Sequence, residues 1–346
     1  MAGGMKLAVV LFNLGGPSKK ADIFPFLFNF FRDKNVVTLP QPFRTLLAAW
    51  IAFTRSKGAG RTAYSHLGGK SPLLEHTVQQ AIALEKELQI KNPDTRVFVS
   101  MRHWHPMAAE VTKIVAEFQP DKIILLPLYP QYSTTTTLSS LQNWHEEAAK
   151  AGLKTPTESI CCYPTDGGFV SASAALITEQ LKKTPEKMRI LFSAHGLPEK
   201  IIQAGDPYQR QCELTAAAIV KQLGAADWQL CYQSRIGRLK WIGPSIDEAL
   251  QKAAADKTGV VVYPLSFVSE HVETLVELDI EYRHRAETLG IKTYLRAQTA
   301  GTHPAFIQGL SALVLSRVAS VDCIGVDCVR TCPKNFNKCY CENKSG

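Results

Sequence analysis

Short apolar runs alternate along the chain with polar turns and with longer segments of helical spacing. Continuous apolar runs of four to seven residues are typical of parallel strands that are buried on both faces. Each run is followed by a polar turn and then a helical segment, so the pattern predicts an α/β fold with doubly wound parallel sheets. The predicted strands are Lys6–Phe12, Arg96–Met101, Lys122–Leu128, Arg189–Phe192, Trp228–Tyr232 and Gly259–Pro264.

The two halves of the chain echo one another. Leu11-Phe-Asn-Leu-Gly15 is similar to Leu191-Phe-Ser-Ala-His-Gly196, and Leu126-Pro-Leu is similar to Tyr263-Pro-Leu. The 346 residues suffice for two similar Rossmann-like domains, with a ligand cleft between them at the carboxyl ends of the strands. We expect a first domain over residues 1–165 and a second over 166–302. A C-terminal helix and a cysteine-rich tail, residues 303–346, would pack back on the first domain.

Two apolar segments of the first half allow two interpretations. Ile23–Phe31 contains five phenylalanines in nine residues, and Leu46–Phe53 is almost as apolar. They are either core helices or an exposed apolar lip, which would cover a flat apolar ligand or dock on a membrane.

Composition and charge exclude several classes of protein. The net charge is +8, but the basic residues are scattered, so no nucleic-acid-binding stripe is expected. A small anionic ligand or an acidic membrane surface fits this excess better. The chain has neither a signal peptide nor an apolar run of about 18 residues, which predicts a cytoplasmic protein without a membrane span.

His195 ends an apolar run and precedes a Gly/Pro turn, where a parallel sheet presents side chains to ligands. Glu273, Glu277 and Glu281 recur four residues apart, on one face of a helix that begins near His271. Like charges at this spacing repel unless a proton or cation lies between them. The row is therefore either a solvent-facing acidic helix or a path for protons or a divalent metal beside the histidine.

Cysteines are concentrated at the C-terminus, where five of the nine lie between Cys323 and Cys341. In a chain without an export signal this clustering favours a metal centre over disulfides. Thiolates select zinc or an iron–sulfur cluster, and the paired C-x2-C motifs usual for zinc are absent. Reactive surface thiols without a cofactor are the alternative.

Ordered motifs between about Leu7 and Ala319 resemble those of the ferrochelatases. They are Leu14-Gly-Gly-Pro17, Leu126-Pro-Leu-Tyr-Pro-Gln-Tyr-Ser133, Phe192-Ser-Ala-His-Gly-Leu-Pro198, Gly205-Asp-Pro-Tyr208, Gln233-Ser-Arg-Ile-Gly237, Trp241-Ile-Gly-Pro244 and Glu270-His-Val-Glu-Thr-Leu-Val-Glu-Leu-Asp-Ile-Glu-Tyr282.

The resemblance implies a chelatase-type fold and a lyase that inserts Fe(II) into protoporphyrin IX, the last step of haem synthesis. His195 and Glu273 would then be the catalytic pair, either as proton acceptors or as ligands that deliver the iron. Glu277 and Glu281 would extend a polar path outward. His271 would orient the start of the helix, and Ser269 would cap it.

The resemblance also implies a set of porphyrin-binding residues: Leu14, Arg55, Tyr64, Ser71, Arg102 and Trp241. Three alternatives stay open at this point. The substrate could be coproporphyrin III, the metal could be cobalt, or the protein could be a non-catalytic sensor of haem or metal. A homodimer and a peripheral position on the inner face of the membrane are further expectations.

The tail spacing resembles that of bacterial ferrochelatases with a [2Fe–2S] cluster. The resemblance implies Cys332, Cys339 and Cys341 as ligands, with Cys161 or its neighbour Cys162 as the fourth.

Overall fold

The computed structural model describes residues 4–224, 227–235, 237, 239–319 and 332–340 of the chain. These residues divide into two compact units. The first comprises residues 4–162 and 310–319, and the second comprises residues 163–309 and 332–340.

The first unit is built on a four-stranded parallel sheet with the order β2-β1-β3-β4. All seven residues of the central strand β1 are buried, as expected for a strand with helices on both faces. The strands are β1 (Leu7–Asn13), β2 (Thr95–Met101), β3 (Lys122–Pro127) and β4 (Thr157–Ser159). The helices are α1 (Ile23–Arg32), α2 (Phe43–Lys57), α3 (Ala59–Ser65), α4 (Leu73–Gln89), α5 (Ala108–Phe118), a short π-helix (Thr134–Leu138) and α6 (Ser139–Lys150).

The second unit repeats this plan with the strand order β6-β5-β7-β8, again all parallel. The strands are β5 (Met188–His195), β6 (Trp228–Gln233), β7 (Gly259–Pro264) and β8 (Tyr294–Arg296). The helices are α7 (Gly167–Leu181), α8 (Glu199–Gln203), α9 (Tyr208–Leu223), α10 (Ile246–Ala255), a longer π-helix (Glu273–Glu281), α11 (Tyr282–Thr288) and α12 (Pro304–Ala319). Residues 304–309 of α12 belong to the second unit and residues 310–319 to the first.

Alternate residues of β5 pack into two different apolar clusters. Ile190 and Phe192 join a cluster with residues of α7 and α9, whereas Leu191 joins a cluster with residues of α10 and α11. Both faces of the second sheet are therefore covered, which confirms the predicted α/β fold with doubly wound parallel sheets.

The structure also corrects details of the predicted strands. The two edge strands β4 and β8 were missed, because three residues are too short to show a period. β5 continues past Phe192 to His195, so the histidine is the last residue of the strand. The small polar Ser193 is accommodated within this strand because it is buried and its hydroxyl donates to Gln233 Oε1 at 2.7 Å.

The apolar segments near the N-terminus combine both interpretations. Ile23, Phe26 and Leu27 of α1 are buried, whereas one face of α2 is exposed. That exposed face carries Phe43, Leu46, Trp50 and Phe53, each more than half exposed. Among the helices that the structure describes, none has both the length and the apolar character needed to cross a bilayer.

Candidate active site

His195 stands at the carboxyl end of β5, the strand beside which β6 and β7 lie. Its backbone is held from two sides by hydroxyl groups. The His195 N–H donates to Ser266 Oγ at 3.0 Å, and the His195 carbonyl accepts from the Tyr208 hydroxyl at 3.0 Å. The loop after β7 and the first residue of α9 thus fix the position from which the imidazole projects.

A local hydrogen bond of the His195 ring determines which ring nitrogen carries the proton and which can accept one. Nδ1 lies 2.6 Å from the Gly196 carbonyl oxygen, which can only accept, so Nδ1 carries the proton. In the neutral imidazole Nε2 then presents its lone pair. Nε2 lies 3.7 Å from Glu273 Oε2.

A second imidazole approaches the same carboxylate oxygen. His271 Nδ1 donates to the Ser269 carbonyl at 3.1 Å, and His271 Nε2 lies 3.7 Å from Glu273 Oε2. The side chains of His195 and Glu273 are 32% and 24% exposed, so a ligand can reach both. Two imidazole nitrogens, His195 Nε2 and His271 Nε2, therefore approach one carboxylate oxygen at the edge of the sheet.

Glu273 begins the longer π-helix, whose turns hold more than four residues. Residues four apart therefore stay on one face, as the row of glutamates requires. The expectation that Ser269 caps this helix is wrong. Its N-cap is Val272, three residues later, and the Thr274 hydroxyl instead accepts from the His271 N–H at 3.0 Å.

Glu277 is held by three donors from the end of β6. The Ser234 N–H, the Ser234 hydroxyl and Gln233 Nε2 donate to its carboxylate at 2.9, 2.6 and 3.2 Å. Burial and the neighbouring charge of Glu273 raise the pKa of Glu277, although these hydrogen bonds act in the opposite direction. Glu277 is therefore poised to exchange a proton nearer to neutral pH than an ordinary carboxyl group. Glu281, at the end of the π-helix, is exposed.

Gln233 and Ser234 have roles at the site that are not predicted from the sequence. Gln233 pairs with His195 in the register of the sheet, and its Nε2 also donates to the Glu273 carbonyl at 3.1 Å. The available signal was the position of the Gln-Ser pair directly after a predicted strand, where ligand-facing side chains gather.

Trp241 lies next to the histidine turn. Its backbone forms an antiparallel bridge with Pro198, and a Cβ on Gly196 would lie 3.3 Å from the indole ring. The structure thus brings Trp241 together with His195, His271, Glu273 and Glu277.

The other predicted porphyrin-binding residues belong to the first unit. Leu14 and Ser71 flank the turn after β1, where a Cβ on Gly16 would lie only 2.6 Å from Ser71 Cβ. Glycine is required at this position because the Ser71 side chain packs directly on the turn. Arg55 lies over the ring of Phe31 at 5.7 Å, and Tyr64 is buried on α3.

Arg102 is anchored on a buried carboxylate. Its Nη2 lies 2.9 Å from Asp33 Oδ2 and its Nε donates to Ser139 Oγ at 2.7 Å. The Ser139 hydroxyl donates in turn to Asp33. Arg102 lines a cavity of about 340 Å³ that carries charges of both signs. The other cations are Arg32, Lys34 and Arg44, and the carboxylates are Asp33, Glu146 and Glu147.

Comparison with known proteins decides the family. The ferrochelatase family model matches residues 6–318. The ferrochelatase of Caulobacter vibrioides is 48% identical over 342 residues, with 97% of each chain covered. The ferrochelatase of Phenylobacterium zucineum is 48% identical over 346 residues, with 98% of this chain and 99% of that one covered.

The chain belongs to the ferrochelatase family. Its fold is similar to that of SirB from Bacillus subtilis, determined with Fe3+, at a TM-score of 0.57 and 13% identity over 91% of this chain and 96% of that one. This second likeness concerns the chelatase fold alone.

The cysteines form a second group of predicted site residues. Cys332 and Cys339 are buried, and Cys332 Sγ accepts from Gln211 Nε2 at 3.2 Å. Cys161 and Cys162, both buried in the first unit, have their sulfur atoms 3.4 Å apart. Cys341 lies outside the described residues. Within the described part of the chain, no three His, Cys, Asp or Glu side chains form a group that could hold a metal ion.

Two further cysteines are core residues. Cys212 and Cys231 have no exposed surface, and burial raises the pKa of both thiols. They are therefore protonated and inert near neutral pH.

Proposed function

We propose that this protein inserts Fe(II) into protoporphyrin IX and releases two protons, as a lyase of haem synthesis. Membership of the ferrochelatase family supports iron as the metal and a porphyrin as the acceptor. The observation that carries the site is the convergence of His195 Nε2 and His271 Nε2 on Glu273 Oε2, at 3.7 Å each.

The chemistry requires a base, because each pyrrole N–H must lose its proton as the metal enters the ring. The neutral His195 imidazole presents the Nε2 lone pair for this purpose, and the Glu273 carboxylate stabilises the imidazolium that forms. Glu277, whose pKa is raised, accepts the proton next, and the exposed Glu281 passes it to solvent. The same two side chains, His195 and Glu273, are also suitable ligands for the incoming iron.

Porphyrin binding is assigned to six residues. Leu14 and Trp241 supply apolar surface for the macrocycle, whereas the cations and hydroxyl groups suit the anionic propionates. The residues in this second group are Arg55, Tyr64, Ser71 and Arg102.

Anaerobic metallation assays test the proposed function. The purified protein should convert protoporphyrin IX and Fe(II) to protohaem, with loss of porphyrin fluorescence, and His195→Ala should abolish this turnover. Full activity in His195→Ala would remove the histidine from the mechanism. A wild-type protein that binds haem or metal but never metallates a porphyrin would contradict the enzyme assignment.

Substrate choice is tested in the same assay. We propose protoporphyrin IX over coproporphyrin III, and Fe(II) over Co(II). A higher kcat/KM for coproporphyrin III, or for cobalt, would reverse the corresponding choice.

We also propose that Cys332, Cys339 and Cys341, with Cys161 or Cys162, hold a [2Fe–2S] cluster. The burial of the described thiols supports this, and so does the Gln211 donor at Cys332, because N–H···S bonds stabilise thiolate ligands. When bound, such a cluster supplies a one-electron redox centre. Anaerobically purified protein should be brown, and Cys339→Ser should bleach it. A colourless wild-type preparation without iron or sulfide would contradict the cluster.

Two further proposals concern contact with a membrane and with a second copy of the chain. The exposed face of α2, defined by Phe43, Leu46, Trp50 and Phe53, is suited to peripheral contact with the inner face of a membrane. The protein is also proposed to be a homodimer, which sedimentation analysis tests directly.

A further inference from the structure

Arg296, the last residue of β8, lies at the centre of a buried ion cluster. Its Nε and Nη2 donate to the two carboxylate oxygens of Asp279 at 2.9 and 2.6 Å. Its Nη1 donates to Glu270 Oε1 at 2.7 Å, and this oxygen also accepts from the Thr299 N–H at 2.9 Å. The side chains of Arg296 and Glu270 are 8% and 13% exposed, so their hydrogen bond is largely shielded from water, whereas Asp279 is 26% exposed.

The two carboxylates that Arg296 binds lie on either side of the residues at the site. Glu270 immediately precedes His271, and Asp279 follows Glu277 by two residues. One planar guanidinium group therefore forms hydrogen bonds both to the segment that precedes the longer π-helix and to its last turn. A π-helix is a rare form that persists where its surroundings hold it, so a rigid connection of this kind matters for its shape.

The cluster also balances charge. Five carboxylates lie between positions 270 and 281: Glu270, Glu273, Glu277, Asp279 and Glu281. Burial raises the pKa of Glu270, but the charge of Arg296 and the hydrogen bonds to the carboxylate outweigh that effect, so the pKa is lowered overall. Arg296 thus favours the ionised form of Glu270 inside the protein.

We propose that Arg296 is a positioning residue, which holds the longer π-helix in the conformation that keeps Glu273 beside His195. This role rests on the proposed function, because it assigns to Arg296 the placement of groups that act in metallation. The side-chain ion pairs of Arg296 go to Glu270 and Asp279, so it acts on His195 and Glu273 through the π-helix.

The chain offers a matched control in Arg189. Arg189 also binds two carboxylates, with Nε and Nη2 at 2.9 and 3.1 Å from Asp227 and Nη1 at 2.9 Å from Asp256. Its side chain is 10% exposed, close to the value for Arg296. However, Arg189 lies near the start of β5, at the opposite end of the strand from His195. Loss of either arginine should therefore affect folding, but only loss of Arg296 should affect the site.

The experiment compares Arg296→Met and Arg296→Lys with Arg189→Met. Each protein is assayed anaerobically with Fe(II) and protoporphyrin IX, its folded fraction is measured by circular dichroism, and its porphyrin affinity is measured by fluorescence. For Arg296→Met we expect kcat per folded molecule to fall on the order of tenfold or more and the KM for iron to rise, since small misplacements of catalytic groups are costly. Porphyrin affinity should be unchanged, and Arg296→Lys should recover part of kcat.

Arg189→Met should show a lowered thermal midpoint with wild-type kcat per folded molecule. Equal kcat for Arg296→Met and Arg189→Met would overturn the positioning role. If Arg296→Met does not fold, Asp279→Asn decides, because it removes the two-oxygen partner at nearly constant volume. Asp279→Asn should lower kcat in the same direction, and an unchanged kcat would reject the proposal. An inactive wild-type protein would instead refute the proposed function.

Discussion

The two four-stranded sheets have the same strand order but different side chains at their carboxyl edges. In the first sheet Phe12 pairs with Pro127, and in the second Ser193 pairs with Pro264. The residue after each proline donates its N–H to the central strand at 2.8 Å, Leu128 to Phe12 and Leu265 to Ser193. Superposing these registers places Leu14 at the position of His195.

The likeness extends to the segment after the third strand of each sheet, where both units form a π-helix. The first, Thr134–Leu138, begins with four threonines, whereas the second, Glu273–Glu281, carries carboxylates on its accessible face. Equal topology thus brings equivalent positions to each edge, but the first π-helix carries threonines where the second carries carboxylates that can take up protons. The fold therefore determines where side chains gather, and the residue types determine which chemistry they can perform.

The largest expected effect on kcat comes from substituting Glu273, the first residue of the longer π-helix, and Thr134 at the start of the shorter one is its control. Glu273→Gln should lower kcat on the order of a hundredfold to ten-thousandfold, the usual range for loss of an acid–base group. Thr134→Val, at the same position of the first π-helix, should leave kcat within about a factor of two. Steady-state metallation assays measure both variants. A large loss of kcat in Thr134→Val would contradict the assignment of proton transfer to the second sheet alone.

The amino edge of the second sheet should influence stability but not catalysis. Arg189→Met should cost about 2 kcal/mol of unfolding free energy, below the range for fully buried pairs because Asp227 and Asp256 are 28% and 44% exposed. Urea unfolding measures this cost. An unchanged midpoint would show that the ion pairs of Arg189 add nothing to the unfolding free energy.

The same pair predicts a pH dependence. The hydrogen bond from Arg189 lowers the pKa of Asp227, so the unfolded chain binds the proton more tightly. The stabilisation is therefore complete above the unfolded pKa of about 3.9 and is lost as the pH falls through the lower folded value. Asp227→Asn should be less stable than wild type at pH 6 and lose less stability between pH 4.5 and pH 3.

An intermediate effect is expected at Glu277. Because its pKa is raised, kcat should fall on the acid side as this carboxyl group becomes protonated and can no longer accept a proton. Glu277→Gln should lower kcat about tenfold, at the low end for proton-transfer groups, and should remove that acid limb. A pH profile of kcat that is unchanged in Glu277→Gln would exclude it from the proton path.

The smallest expected effect on stability is at α2, which lies between β1 and β2 of the first unit. Leu46→Ser with Trp50→Ser, on the exposed face of α2, should change the unfolding free energy by less than about 0.5 kcal/mol. The double variant should nevertheless lose flotation with liposomes that contain anionic lipids. Ile90→Ser, an exposed apolar position at the end of α4, serves as the control. Equal flotation of wild type and the α2 variant would exclude this membrane contact.

The long apolar strands, the carboxylate row and His195 could be predicted from the sequence because burial and spacing leave a period in the chain. The π-helix could not, since residues four apart share a face in either type of helix. Gln233 and Ser234 carry no charge and interrupt no pattern. Arg296 was missed for another reason: its partners lie 17 and 26 residues away, and only the pairing of β7 with β8 brings them together.

In the proposed mechanism His195 and Glu273 act as one unit at the edge of the second sheet. A double-mutant cycle in single-turnover iron insertion tests it, with His195→Ala, Glu273→Gln and the double variant at saturating porphyrin. The double variant should be no slower than the slower single variant, because either substitution already disables the pair. Losses that multiply in the double variant would contradict the claim, since the two residues would then act independently.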